Sequence, residues 1–171
     1  MRTVVALRMR VDECGSDVHH VGVTVVDISS RLEGSADAVW AAVKTPVAFR
    51  RVTRGLITMP VLRTRVDEWR EGETVVGWVF LFGVIPFSRH HLHVSGINDT
   101  SRTLSSREKG GVVRRWDHDI IVTPVDDRSC IYRDRISIDA GVFTPFVAIY
   151  ARCFYAVRQR RWRTLAKELS R

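Results

Sequence analysis

The chain has 171 residues, of which 45% are hydrophobic and 27% are charged, a composition typical of one folded domain rather than of a disordered or fibrous protein. No apolar run approaches the roughly 18 residues that a membrane-spanning helix needs, and the first residues lack a signal-peptide core, so we expect a cytoplasmic protein. The net charge of +8 suits either an anionic partner or a solvated arginine-rich surface, and charge alone does not choose between them.

The first 20 residues are predicted to be an N-terminal extension of a domain that occupies residues 21–171. Leu7, Met9 and Val11 alternate with arginines, a pattern that permits one strand. A polar segment ending at His20 follows and is typical of a loop. The role of this extension is left open.

A strand and two short helices are predicted next. Residues 23–32 are rich in β-branched side chains and alternate between two faces, which favours a strand. Ser35 is a suitable N-cap for a helix over 36–44, and Pro46 suits the first turn of a second helix that Gly55 ends. The side chains expected to face inward from the first helix are Val39, Trp40 and Val43.

Beyond Gly55 the sequence predicts successive strands. They are short, and Gly, Asn or Asp residues lie between most of them, which argues for an antiparallel meander. The predicted strands are 56–66, which is interrupted at Pro60, and 74–82, 88–97, 102–109, 112–123 and 129–140. The apolar stretch 83–87 has two interpretations, an exposed loop that covers a pocket or meets a partner, and a buried hairpin turn.

A long helix is predicted over 144–169, with Pro145 in its first turn. At 1.5 Å per residue it would be about 39 Å long, so no single strand could cover it and the sheet must curl around it. The apolar residues at helical spacing, expected to form its inward face, are Phe146, Ile149, Tyr150, Cys153, Phe154, Val157, Trp162, Leu165 and Leu169.

Three local motifs carry a resemblance to a known superfamily. They are Gly-Ser-Ala-Asp-Ala-Val-Trp at 34–40, Trp-Asp-His at 116–118 and Tyr-Arg-Asp-Arg-Ile at 132–136. In this order, before a long final helix, they resemble the SRPBCC superfamily, which includes START lipid-binding domains and aromatic polyketide cyclases. The resemblance covers residues 21–169 and is closest to the polyketide cyclase/dehydrase-like branch. The arginine-rich second helix departs from the family pattern, in which an apolar segment often follows.

The resemblance implies an α+β helix-grip fold. In that fold a curved antiparallel sheet of six or seven strands wraps a long C-terminal helix, two short helices follow the first strand, and an apolar pocket lies between sheet and helix. The large aromatic side chains are expected to include core residues and, as a set, some that line the pocket. Those assigned to ligand binding are Trp116, Tyr132, Trp78, Phe80, Phe82, Tyr150 and Phe154.

His118 and Asp134 are the candidate catalytic pair. Each shares a strand face with apolar residues, and two hairpin registers are open, one placing Asp134 diagonal to His118 and the other directly opposite. Three roles are also open: a buried structural pair, an anchor for a polar ligand group, and acid/base chemistry in which Tyr132 or an arginine polarises a carbonyl. Their recurrence in the resembling proteins, with or without a known activity, favours the structural role.

Metal binding is weighed and not favoured. His91 and His93 share a strand face and could chelate zinc with Asp67, Glu68 or Glu108, but surface histidines are the simpler interpretation, and no metal or other cofactor is predicted. The three cysteines, Cys14, Cys130 and Cys153, lack a CxxC spacing and are expected to be buried free thiols.

Three functions follow from these observations. The first is binding of a small hydrophobic molecule (a lipid, polyketide or other ring compound) without a cofactor. The second is a cyclase or dehydratase that uses His118 and Asp134. The third is a basic interaction protein that contacts an anionic membrane, or nucleic acid, which the absence of a recognition motif disfavours. Strand 74–82 is apolar on both faces, so a homodimer partner or the N-terminal extension is expected to cover it.

Overall fold

The computed structural model describes residues 23–170, so the predicted extension at 1–20 and Cys14 lie outside the described residues. Seven strands and three α-helices are described. In chain order they are β1 Thr24–Glu33, α1 Ala36–Val43, α2 Pro46–Thr53, β2 Ile57–Thr58, β3 Thr74–Leu81, β4 Ile85–Asn98, β5 Thr103–Gly110, β6 Val113–Asp126, β7 Ser129–Asp139 and α3 Thr144–Leu169. Short 3₁₀ helices at Pro60–Leu62 and Gly141–Phe143 complete the fold.

The two short helices begin at the predicted caps. The Ser35 hydroxyl accepts a hydrogen bond from the Ala38 amide at 3.2 Å, which satisfies one of the free N–H groups at the start of α1. Thr45 caps α2 in the same way, and Pro46 occupies its first turn. Gly55 follows α2 with φ +71°, a conformation that glycine adopts without strain.

All seven strands form one antiparallel sheet in the order β1-β7-β6-β5-β4-β3-β2. Strands β2 to β7 are therefore a meander, and β1 joins its far edge beside β7. The register shifts in four of the ladders, at Val79/Phe80, Val94/Gly96, Glu108/Gly110 and Pro124/Asp126. Such bulges bend strands and increase their twist, so the sheet curls into a half-barrel around α3.

Helix α3 lies nearer one side of this half-barrel than the other. Its first half packs Ala148, Ala151 and Tyr155 against β1 and β7, where Val26 and Ile136 are buried. Its second half buries Trp162 and Leu165 in a cluster that also contains α1 and α2 residues. The sheet therefore grips the helix as the resemblance implies, and α3 stands away from β3 to β6.

One predicted strand, 56–66, does not continue beyond its predicted interruption at Pro60. Residues 56–66 contain only the two-residue strand β2, followed by a 3₁₀ turn that starts at Pro60. Pro60 has no N–H to donate to a ladder and its φ suits a helical first turn, so the strand stops there. The stretch 83–87 matches neither prediction completely. It is a hairpin turn, but an exposed one, with Val84 75% exposed, and β4 already begins at Ile85.

The predicted inward face of α3 is wrong in its first half. Phe146 is 72% exposed and Ile149 58% exposed, and Cys153 is also exposed rather than buried. Small residues, Ala148 and Ala151, are buried instead, because the helix approaches β1 and β7 too closely for large side chains. Among the helices described, none is long and apolar enough to cross a membrane.

Candidate ligand cavity and its polar network

A cavity of about 130 Å³ lies between α3 and the inner faces of β3 to β6. Its walls are mainly apolar, and it is partly open to solvent. Residues that form the walls include Val79, Leu92, Val94, Leu104, Ile120 and Trp162. Enclosed cavities of about 150 Å³ hold a benzene molecule, so this volume suits about one ring, and the open side of the cavity leaves room for a second.

His118 and Asp134 meet beneath this cavity. His118 pairs with Ile136 across β6–β7, and Asp134 with Ile120, so the structure has the diagonal register, reached through a bulge before Asp126. His118 Nε2 lies 2.8 Å from Asp134 Oδ1. Because an ionised carboxylate only accepts, the imidazole donates from Nε2. His118 also lines the cavity, so it connects the carboxylate to the cavity space.

Asp134 has three further neighbours. The Tyr132 hydroxyl donates to its Oδ1 at 3.1 Å, and Gln159 Nε2 on α3 donates to its Oδ2 at 2.8 Å. Arg158 donates from Nη2 to the Tyr132 hydroxyl at 3.1 Å and lies 3.8 Å from Asp134 Oδ1. Ser30 on β1 donates to Gln159 Oε1. The network therefore ties β1, β6 and β7 to α3.

The network holds a buried ion pair. Burial alone raises the pKa of Asp134, but the Arg158 charge and the hydrogen bond from His118 outweigh it and leave the pKa below its usual value. Burial likewise lowers the pKa of Arg158, and interactions with Tyr132 and Asp134 more than restore it. Burial raises the pKa of Tyr132 well above its usual value. Asp134 is thus a carboxylate, Arg158 a cation and Tyr132 a neutral phenol at neutral pH.

Aromatic rings surround His118. Its ring meets Tyr155 edge-on at a centroid distance of 5.1 Å, and Trp116 stacks on Tyr155 at 6.2 Å with an interplanar angle of 28°. Trp116, Tyr155, Tyr150 and Phe154 all line the cavity. Aromatic side chains present large apolar faces to a bound ring, so the cavity near His118 suits a flat molecule.

The predicted ligand-binding residues, and the predicted catalytic residue Asp134, fall into three groups. Trp116, Tyr150 and Phe154 line the cavity, whereas Tyr132 and Asp134 lie behind its wall. Trp78, Phe80 and Phe82 are not among the residues that line the cavity, whereas Val79 and Leu81 of the same hairpin are. Strand 74–82 is apolar on both faces, so alternation alone did not identify the inner one.

Sequence reasoning missed the polar residues that complete the site. Arg158, one of several arginines in the second half of α3, is 4% exposed and lines the cavity. His90, Ser106 and Glu108 line it as well. The alternation of side chains along β5 could have identified two of these, because Ser106 and Glu108 share a strand face with the apolar Leu104.

The two histidines considered for zinc lie outside the cavity. His91 and His93 are on the opposite face of β4 from His90, and His93 Nδ1 lies 2.9 Å from the Thr74 hydroxyl. Within residues 23–170, no three His, Cys, Asp or Glu side chains come together in a way that could hold a metal ion.

Fold and cavity together define a class, the helix-grip or START-like fold. The chain is similar to a START superfamily protein from Mycobacterium smegmatis, with a TM-score of 0.66 and 11% identity over 87% of this chain and 100% of that chain. It is similar to norcoclaurine synthase from Thalictrum flavum, solved with dopamine and hydroxybenzaldehyde. The TM-score is 0.63 and the identity 13%, over 94% of this chain and 98% of that chain. It is also similar to Zhui aromatase/cyclase from Streptomyces sp. R1128, with a TM-score of 0.63 and 12% identity over 85% of this chain and 94% of that chain.

At these identities the likeness establishes the fold alone. The family is shown by a match of residues 30–167 to the DUF8410 model, described as a domain of unknown function. The chain belongs to the DUF8410 family. No curated protein matches the chain.

Proposed function

We propose that the protein binds a small apolar ring compound in the cavity between α3 and strands β3 to β6. The observation that carries the proposal is an apolar cavity whose inner end has a hydrogen-bonded network containing His118 and Arg158. Ligand sites typically combine apolar walls with a few fixed polar groups. The solved helix-grip proteins named above support the proposal by analogy of fold.

A cavity-filling substitution tests the proposal. Leu104 is 6% exposed and lines the cavity, so Leu104→Trp should occupy ligand space. Overpacking of this kind costs roughly 1–3 kcal/mol of stability, which the fold should tolerate. The matched control is Val125→Trp, because Val125 is 48% exposed and lies outside the cavity.

The measurements are native mass spectrometry of the purified full chain and ligand-observed NMR with 2-methylnaphthalene. We expect a co-purifying apolar molecule or saturable binding of the probe, unchanged in Val125→Trp and lost in folded Leu104→Trp. Neither a bound molecule nor probe binding in the wild type would refute the proposal.

A second function, contact with an anionic membrane, is favoured by a separate observation. Large apolar side chains are exposed on two elements, with Phe82 at 61% in the β3–β4 hairpin turn and Phe146 at 72% on α3. Arg114 lies beside Gly141, just before α3. Exposed apolar groups with neighbouring cations are typical of interfacial binding.

Co-sedimentation with vesicles tests the membrane function. Wild-type protein should sediment with phosphatidylcholine vesicles that contain phosphatidylserine and lose this binding in high salt. Phe82→Glu and Phe146→Glu should each reduce it, whereas Val125→Glu should not. Equal behaviour of all four proteins would refute this function.

A further inference from the structure

A second hydrogen-bonded cluster lies on the cavity wall, separate from Asp134. Nε2 of His90 on β4 is 2.9 Å from Glu108 Oε2 on β5, and the Ser106 hydroxyl donates to Glu108 Oε1 at 2.7 Å. Both carboxylate oxygens are thus oriented by protein donors. The cluster faces the same cavity as His118, because Ser106 pairs directly with His118 across β5–β6.

The two clusters approach each other without joining. Among residues 23–170, no hydrogen bond links His118 to Ser106 or Glu108, and the His118 contact with Asp134 uses only Nε2. Directly paired residues on one sheet face have Cβ atoms roughly 5 Å apart. A ligand atom near the Ser106–His118 pair would therefore be close to Glu108 and to the second nitrogen of His118.

Glu108 is the carboxylate that a molecule in the cavity can contact. Its side chain is 15% exposed and that of His90 is 16% exposed, whereas Asp134 is fully buried. Both Glu108 and His90 line the cavity, and Asp134 lies behind its wall. Asp134 therefore orients His118, while Glu108 presents oxygen atoms to the cavity.

Glu108 can accept a further hydrogen bond. Burial raises its pKa, but the hydrogen bond and charge of His90 and the charge of His118 outweigh burial, so the pKa lies below its usual value and the group is ionised at neutral pH. An ionised carboxylate has about four acceptor positions and no donor. Two are used by His90 and Ser106, and a ligand donor can occupy another.

The charges in the cavity favour a neutral donor. An anionic ligand group at this position would be repelled by Glu108. A cationic group would share the cavity with the Arg158 guanidinium, which the network keeps charged. A hydroxyl group donates one hydrogen bond and avoids both repulsions.

We propose that Glu108 anchors a hydroxyl group of the ligand, which makes the ligand a small ring alcohol or phenol. This inference rests on the proposed cavity binding and specifies its ligand class. A hydrogen bond to a buried charged group contributes roughly 1.5–3 kcal/mol, equivalent to about a tenfold or greater preference for a hydroxyl over a methyl group at this position.

Three naphthalene probes of related shape test the hydroxyl anchor. The dissociation constants of 2-naphthol, 2-methylnaphthalene and protonated 2-naphthylmethylamine are measured at pH 7 by NMR titration of the full chain. We expect 2-naphthol to bind at least about tenfold more tightly than 2-methylnaphthalene. Equal affinities, or tighter binding of the ammonium probe, would overturn the anchor, whereas no binding of any probe, together with no co-purifying molecule, would refute the cavity function itself.

Variants at Glu108 assign the preference to this residue. Glu108→Gln should reduce the preference for 2-naphthol about fivefold, and Glu108→Leu should remove it, while affinity for 2-methylnaphthalene changes little. Glu68→Gln is the matched control, because Glu68 has a 57% exposed side chain outside the cavity. An unchanged preference in folded Glu108→Leu would overturn the assignment. If that variant does not fold, the affinities of wild-type protein for 2-naphthol and 2-methylnaphthalene still test the hydroxyl anchor.

Discussion

Replacement of Asp134 by asparagine removes the negative charge from the buried network while keeping a side chain of nearly the same size and shape. The amide oxygen can still accept from Tyr132 or His118, but its N–H₂ group would face the Gln159 Nε2 donor or another donor. Arg158, which is 4% exposed, would lose the anion that lies 3.8 Å from it. We therefore expect Asp134→Asn to destabilise the fold chiefly by leaving the guanidinium buried without a counter-charge.

The size of this effect follows from the distance. At 3.8 Å and an effective dielectric constant of about 20, two unit charges attract by about 4 kcal/mol. Removing one partner of a buried ion pair typically costs about 3–5 kcal/mol. A domain of this kind has a free energy of unfolding of about 5–15 kcal/mol, so the variant should fold with a large loss of stability.

Urea unfolding followed by circular dichroism measures this loss. Asp37→Asn is the matched control, because Asp37 pairs with Arg102 at the surface and has an 83% exposed side chain, where an ion pair contributes less than about 1 kcal/mol. Adding Arg158→Met to Asp134→Asn should recover part of the lost stability, because the unpaired cation is then absent. A loss below about 1 kcal/mol in Asp134→Asn, or no recovery in the double variant, would refute this reasoning.

Three other predictions follow from the site and the caps. The folded pKa of Asp134 lies below its unfolded value of 3.8, so its contribution to stability is present above pH 3.8 and is lost as the pH falls through the folded pKa. The difference in unfolding free energy between wild type and Asp134→Asn should therefore be smaller at pH 3 than at pH 7. An equal difference at both pH values would contradict this. Gly110→Ala would place a Cβ 2.9 Å from His90 Nδ1 and 2.9 Å from the Arg89 carbonyl oxygen, so it should weaken 2-naphthol binding and lower the melting temperature. The control Gly96→Ala has open space around its Cβ and should change binding little. Equal effects of the two substitutions would contradict a role for the position of His90 in binding. Ser35→Ala should cost about 0.5–2 kcal/mol in urea unfolding through the lost α1 cap, and no change would show that the cap is dispensable.

The order of elements was predictable from the sequence because local signals define them. Ser35 and Pro46 mark helix starts, alternation marks β1, and α3 has the predicted bounds Thr144–Leu169. The diagonal register of His118 and Asp134 was one of two predicted registers, since both residues share a face with apolar neighbours. These features depend on contacts between residues close in sequence or on adjacent strands.

Features that depend on distant contacts were not predictable. Arg158 is buried because Tyr132 and Asp134 on β7 offer it partners, and no spacing within α3 indicates that. Ala148 and Ala151 are buried in place of Phe146 because α3 lies close to β1 and β7. Likewise, His90 meets Glu108 only because the β4–β5 register places them diagonally on the cavity face.

The hydrogen bonds of Gln159 have a consequence for α3 as a whole. A smooth apolar helix in a curved sheet could slide along its axis at little cost. Here a shift by one turn, about 5.4 Å, would take Gln159 away from both Ser30 and Asp134 and leave buried polar atoms unsatisfied. The position of the helix along its own axis is therefore fixed, and with it the positions of Tyr150 and Phe154 in the cavity wall.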